Sequence, residues 1–164
     1  MKNKCIFITG GSTGLGFAIA KLYSSLGHIV AVCGRDIKKF EAQNDKSNIK
    51  FYQADVSNKE SIQNAINDFH AKQGQLDIVI ANAGIAYKNK TKLPDFEYSR
   101  TMVDINVMGV FNTFEAAVKI MVKQGHGQLA ATSSVAGNNG LPGVSFYAAS
   151  KSFVMKLCES FSLD

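Results

Sequence analysis

The sequence predicts an α/β fold, a doubly wound parallel sheet, on three observations. Short apolar, β-rich runs recur at residues 5–9, 29–33, 49–53, 76–81 and 128–133. Helical patterns fill most of the intervals between them, and a glycine-rich turn joins the first run to the first helix. Strands of nearly continuous apolar character alternating with amphipathic helices imply a parallel sheet covered on both faces, wound by right-handed crossovers.

The first run, Cys5-Ile6-Phe7-Ile8-Thr9, stops at Gly10-Gly11-Ser12-Thr13-Gly14-Leu15-Gly16. Beyond the turn, Leu15, Ala18, Ile19, Leu22, Tyr23 and Leu26 follow helical spacing and predict one apolar stripe. Glycines there let backbone N–H groups at a helix N-terminus approach a pyrophosphate, and the helix dipole favours the anion. The strand, turn and helix thus predict nucleotide binding. Ile62, Ala65, Ile66 and Phe69 mark a further helix. A longer stripe runs through Val103, Val107, Val110, Phe111, Phe114, Ala117, Val118 and Met121. A loop at residues 138–143 precedes a last helix beginning near Ser145.

With 164 residues, 46% hydrophobic and 19% charged, the chain fits one globular domain, residues 1–164. The formal charge of +5 comes from scattered basic residues, and the cluster at residues 88–92 reads as a solvated surface rather than a nucleic-acid stripe. No leader-like apolar region follows Met1, and no uninterrupted apolar segment approaches the ~20 residues of a bilayer span, so a cytoplasmic location without membrane attachment is expected. Cys5, Cys33 and Cys158 read as reduced core residues. His28, His70 and His126 lack metal-site spacing, and no metal is assigned.

Tyr147 and Lys151 are four residues apart on the last helix, which places a phenol and an ammonium on one face, about 6 Å apart along the axis. A phenol of pKa ~10 is a poor acid or base at neutral pH, and a nearby cation favours its ionised form. The pair therefore reads as a proton-transfer device.

Taken in order, Thr9-Gly10-Gly11-Ser12-Thr13-Gly14-Leu15-Gly16, Asp55-Val56, Asn82-Ala83-Gly84, Asn106, Ser134 and Tyr147-x-x-x-Lys151 resemble the short-chain dehydrogenase/reductase family. The glycine spacing is similar to that of its compact branch rather than the longer epimerase and dehydratase branch. The resemblance implies a Rossmann-like fold and an NAD(P)-dependent oxidoreductase that interconverts a carbonyl and an alcohol by hydride transfer. Tyr147 would be the general acid/base, and Lys151 would hold the nicotinamide ribose and lower the phenol's pKa. Ser134, thirteen residues before Tyr147, would donate to the substrate oxygen, while Ser133 would point away. Asn106 would support a proton-relaying water. Gly10, Ser12, Thr13, Gly14, Leu15 and Gly16 would cradle the cofactor phosphates. Asp55 and Val56, with Asn82, Ala83 and Gly84, would line its adenosine side.

Cofactor choice rests on Gly34-Arg35-Asp36. Asp36 lies twenty positions beyond Gly16, where a carboxylate can bind a free ribose 2′-OH and favour NAD. Arg35 offers a guanidinium that matches a 2′-phosphate, and the reading favours NADP over NAD.

Members of the family continue through further strands and a substrate-covering segment, so the resemblance also implies a shortened chain lacking the last strands. The expectation then is an exposed sheet edge at residues 128–133. The alternative function is a catalytically inactive nucleotide-binding fragment or interaction subunit. The expected substrate is a small alcohol, a ketone or an acyl-chain carbonyl. The helices around Asn106 and Tyr147 are surfaces through which relatives form homo-oligomers.

Overall fold

The computed structural model describes residues 3–43, 47–87 and 93–162. The basic cluster at 88–92 lies outside the described residues. Five strands, β1 Cys5–Thr9, β2 Ile29–Gly34, β3 Ile49–Gln53, β4 Ile78–Ala81 and β5 Gln128–Ala131, form one parallel sheet in the order β3-β2-β1-β4-β5. The register pairs Phe7 with Ala31 on one side and with Val79 on the other. Strand order reverses between β1 and β4, and in open α/β sheets ligands bind in the crevice at the strand C-termini near such a reversal.

Alternation along β1 splits the core into two layers. Cys5 and Phe7 pack with Ile62, Ile66 and Phe69 of α3 (Lys59–Gln73) and with Ala117 and Ile120 of α5 (Gly109–Gln124). Ile6 and Ile8 face the other way, toward Phe17 and Ala20 of α1 (Gly14–Ser25). The remaining helices are α2 (Ile37–Glu41), α4 (Phe96–Val103) and α6 (Ser145–Phe161). Val154 of α6 packs with Ala81, Val110 and Phe114. Local sequence sets the helix ends: Asn58 caps α3 by accepting from Ser61 N at 2.9 Å, and Gly74 closes it at φ 74°.

The stripe expected on α1 is corrected. Gly16, Phe17 and Ala20 are its buried residues, whereas Leu15, Leu22 and Leu26 are exposed, as is Ala18. The reason is steric. Gly16 presses onto the Gly10 carbonyl and the Asn82 amide, where a Cβ would come within 2.5 Å of each, so its face must meet the sheet and Leu15 turns outward.

A second correction concerns the long helical stripe. Helices α4 and α5 join through one π-helical turn, Asp104–Met108, into a 29-residue rod, Phe96–Gln124, that is long and apolar enough to cross a membrane. Its apolarity serves packing, since 56% of the apolar window is buried in the fold. The π turn shifts the rod's phase, burying Met102, Ile105 and Asn106 and leaving Val103 and Phe111 exposed.

Candidate active site

A cavity of about 640 Å³ opens at the C-terminal edge of the sheet, beside the reversal between β1 and β4. It is lined by Gly10, Ser12, Thr13, Leu15 and Gly16 from the glycine turn, and by Arg35 and Asp36 after β2. Asp55 and Val56 after β3, and Asn82, Ala83 and Gly84 after β4, complete the walls. Tyr147 and Lys151 line the same cavity from α6. Three expected site residues, Gly14, Asn106 and Ser134, are not in the wall itself.

The glycine turn is shaped for close approach. Gly10 sits at φ 65°, a conformation that favours glycine, and a Cβ there would stand 2.7 Å from the Ala83 backbone. Gly14, at φ 58°, opens α1. Its N-cap, Thr13, makes no side-chain cap bond, and the first turn carries no acidic residue. First-turn N–H groups therefore have no intrahelical partner and no competing carboxylate, a favourable end for an anion.

Asn82 ties three strand ends together. Its backbone N–H donates to Thr9 Oγ1 at 3.0 Å, its Nδ2 donates to Thr9 O at 3.0 Å, and its Oδ1 accepts from Thr132 Oγ1 at 3.0 Å. Ala83 N also donates to Thr9 Oγ1, at 3.1 Å. Asp55 keeps its own turn, Oδ1 accepting from Ser57 N at 2.9 Å and Ser57 Oγ at 2.7 Å.

Asn106 lies behind the wall and is fully buried. Its Oδ1 accepts from Ile85 N at 2.8 Å, and its Nδ2 donates to Ile85 O at 2.9 Å and to Ser150 Oγ at 3.1 Å. Ser150 Oγ in turn donates to Tyr147 O at 2.7 Å, so one buried chain joins the loop after β4 to the helix bearing Tyr147. Lys151 is 5% exposed, its Nζ donates to Thr132 O at 2.8 Å, and the ammonium lies 5.9 Å from the Tyr147 ring centroid. Burial holds that ammonium below the ordinary lysine range.

Strand β5 ends at Ala131, so Ser133 and Ser134 lie beyond it, where strand alternation does not set which way their side chains face. Ser133 does not point away: it lines the cavity, and its Oγ donates to Lys151 O at 2.9 Å. Ser134 caps the 3₁₀ turn Val135–Gly137, its Oγ accepting from Ala136 N at 3.2 Å. That turn is seated on α6, where a Cβ at Gly137 would come within 2.9 Å of the Lys151 backbone.

At the other end, Asp36 caps α2, its Oδ1 accepting from Lys38 N at 2.9 Å. Gly34 contributes no side chain, and a Cβ there would meet Ser12 Oγ at 3.0 Å. Lys39 joins Arg35 in the wall, a second cation that carries no motif or spacing signal in the sequence. Thr132, Ile85 and Ser150 carry no motif signal either, because each acts through backbone or second-partner contacts that leave no spacing signal. Cys33 also lines the cavity, but burial pushes its thiol up to about 12, which makes it inert as a nucleophile.

A model of the family described as short chain dehydrogenase matches residues 4–164. The 3-oxoacyl-[acyl-carrier-protein] reductase of Chlamydia muridarum is 32% identical over 168 residues, covering 99% of this chain and 68% of the relative. A gluconate 5-dehydrogenase from Burkholderia cenocepacia, solved in complex with NADP and tartrate, superposes with TM-score 0.89 at 25% identity, covering 100% of this chain and 66% of that one. A short chain dehydrogenase/reductase from Burkholderia phymatum, solved in complex with NAD, gives TM-score 0.90 at 25% identity, covering 98% and 59%. The chain thus spans about two thirds of the length of these proteins. Sheet order, glycine turn and family match agree: this chain is a member of the short-chain dehydrogenase family of oxidoreductases, with a Rossmann-like fold.

Proposed function

We propose that the chain, as one domain, uses a nicotinamide dinucleotide, NADP in preference to NAD, to interconvert a carbonyl and an alcohol, with Tyr147 as general acid/base. The observation that carries this reading is the meeting of the glycine turn, Asp55, Asn82, Tyr147 and Lys151 around one cavity. The residues suit the dinucleotide: uncapped N–H groups and glycines at the α1 end for phosphates, and Arg35 with Lys39 for a further anion. Neighbours of the same fold solved with NADP and with NAD support the cofactor class. Arg35, Lys39 and the use of Asp36 as a helix cap support NADP.

When bound, the dinucleotide supplies or accepts the hydride. In this reading the Tyr147 hydroxyl gives a proton to the substrate oxygen or takes one from it, and Lys151 holds the nicotinamide ribose hydroxyls. Ser134 Oγ accepts from Ala136 N, which leaves its own O–H free to donate to the substrate oxygen. Asn106 has both amide N–H groups committed, to Ile85 and Ser150. Its support for a relay water therefore falls to the remaining Oδ1 lone pair and the backbone of the π turn. The substrate class is a small alcohol, ketone or acyl-chain carbonyl. Exposed Val103, Met108, Phe111 and Phe153 support self-association through the rod and α6.

The test is titration of the purified chain with NADPH and NADH, followed by NADPH oxidation against a panel of ketones. Tighter NADPH binding with turnover supports the reading. Binding without turnover points to a nucleotide-binding subunit instead, and absence of binding removes both.

A further inference from the structure

Helix α5 touches the cavity wall through residues outside the expected site set. The Asn112 side chain is buried, and its Nδ2 donates to the Val56 carbonyl at 2.9 Å. One turn earlier, Gly109 faces the same loop: a Cβ there would stand 2.7 Å from Val56 Cγ2. A hydrogen bond and a missing side chain thus seat the loop after β3 directly on the rod. Asp55 and Val56 of that loop line the cavity.

The same rod also holds the opposite wall. Three residues before Gly109, Asn106 grips the Ile85 backbone through both its N–H and its C=O, and Ile85 lines the cavity as well. Asn106, Gly109 and Asn112 fall on successive turns of one stiff element, with the π turn inserted between α4 and α5 where the first grip is made. The spacing between the loop after β3 and the loop after β4 is therefore fixed by a helix that itself contributes no contact at Asn112 or Gly109 to the cavity. Loss of the Asn112 donor would leave a buried carbonyl without its partner, and the loop would shift to recover one from solvent.

We propose that Asn112 is a positioning residue for the adenine end of the dinucleotide, acting through Val56, with Gly109 as the seat that permits the contact. This rests on the dinucleotide reading above. Its consequence is selective, because Asn112 governs one half of the ligand and leaves the half beside Tyr147 and Lys151 to the Asn106 grip.

The experiment uses two half-ligands, 2′,5′-ADP and nicotinamide mononucleotide, titrated separately into the full chain by NMR. Asn112→Ala is expected to weaken 2′,5′-ADP about fivefold or more, with nicotinamide mononucleotide unchanged within about twofold. Asn112→Asp keeps the volume but presents an acceptor to the Val56 carbonyl, and it should weaken 2′,5′-ADP at least as much as Asn112→Ala. Should Asn112→Ala fail to fold, Gly109→Ala reads the same loop through its seat. Unchanged 2′,5′-ADP affinity in the variants, or a parallel loss of both half-ligands, overturns the inference. If the unmutated chain binds neither half, it is the dinucleotide reading that fails, and the inference falls with it.

Discussion

The Lys151 ammonium donates to the Thr132 carbonyl at 2.8 Å while almost entirely withdrawn from solvent. One carbonyl is poor compensation for a buried charge, and burial depresses the lysine's proton affinity accordingly.

Its first consequence concerns stability. The unfolded chain binds this proton more tightly than the folded one, so the charge is a full destabilising load at neutral pH. That load is lifted as pH rises from the depressed folded value toward the ordinary lysine value near ~10.4. Lys151→Met should therefore match or exceed the unmutated chain in thermal midpoint at neutral pH, with the gap closing as pH rises through that interval. Hydride transfer should be lost in the same variant. Thermal unfolding across pH, paired with an NADPH oxidation assay, checks both.

Cofactor choice gives a second prediction. Arg35→Ala should weaken NADPH about tenfold or more, with NADH nearly unaffected, because the guanidinium is matched only to the 2′-phosphate. Lys39→Ala should cost about fivefold at most, its ammonium being exposed. Asp36→Asn keeps the cap on Lys38 N and should leave NADH binding unchanged; a clear fall in NADH affinity would put Asp36 on the ribose after all.

The glycine turn supplies a third. Gly16→Ala brings a Cβ within 2.5 Å of the Gly10 carbonyl and of Asn82 Nδ2, and neither can move without disturbing the strand ends that Asn82 ties together. A loss of about 1–3 kcal/mol in stability is expected, with dinucleotide binding reduced as well. Gly14→Ala meets no neighbour within 4 Å, yet it strains a backbone at φ 58°, so it should cost stability without the same steric displacement. Denaturant melts of the two variants separate the mechanisms.

These particulars also show what can be read from sequence and what cannot. Strands β1, β2 and β4 announce themselves because a strand buried on both faces leaves a continuous apolar run. Helix α3 is equally plain, since Ile62, Ala65, Ile66 and Phe69 all face the core. On α1 the pattern misleads: backbone contact at Gly16 sets the buried face, and a glycine carries no hydrophobic signal. The long rod defeats periodicity for another reason, because one π turn changes its phase near Asn106. Asp36 illustrates a chemical ambiguity, since a helix cap and a ribose ligand are the same residue at the same distance from the glycines. Asn112 leaves no trace at all, because its partner, the Val56 carbonyl, belongs to a loop far away in sequence, and Lys39 reads from sequence as one more exposed cation.

The most direct measurement is a comparison of the unmutated chain with Tyr147→Phe, reading NADPH affinity and single-turnover hydride transfer to a ketone on the same samples. The phenol oxygen is the only group removed, so affinity should hold within about twofold while transfer falls by ~10²–10⁴-fold. Transfer at an undiminished rate in Tyr147→Phe would contradict the assignment of the acid/base.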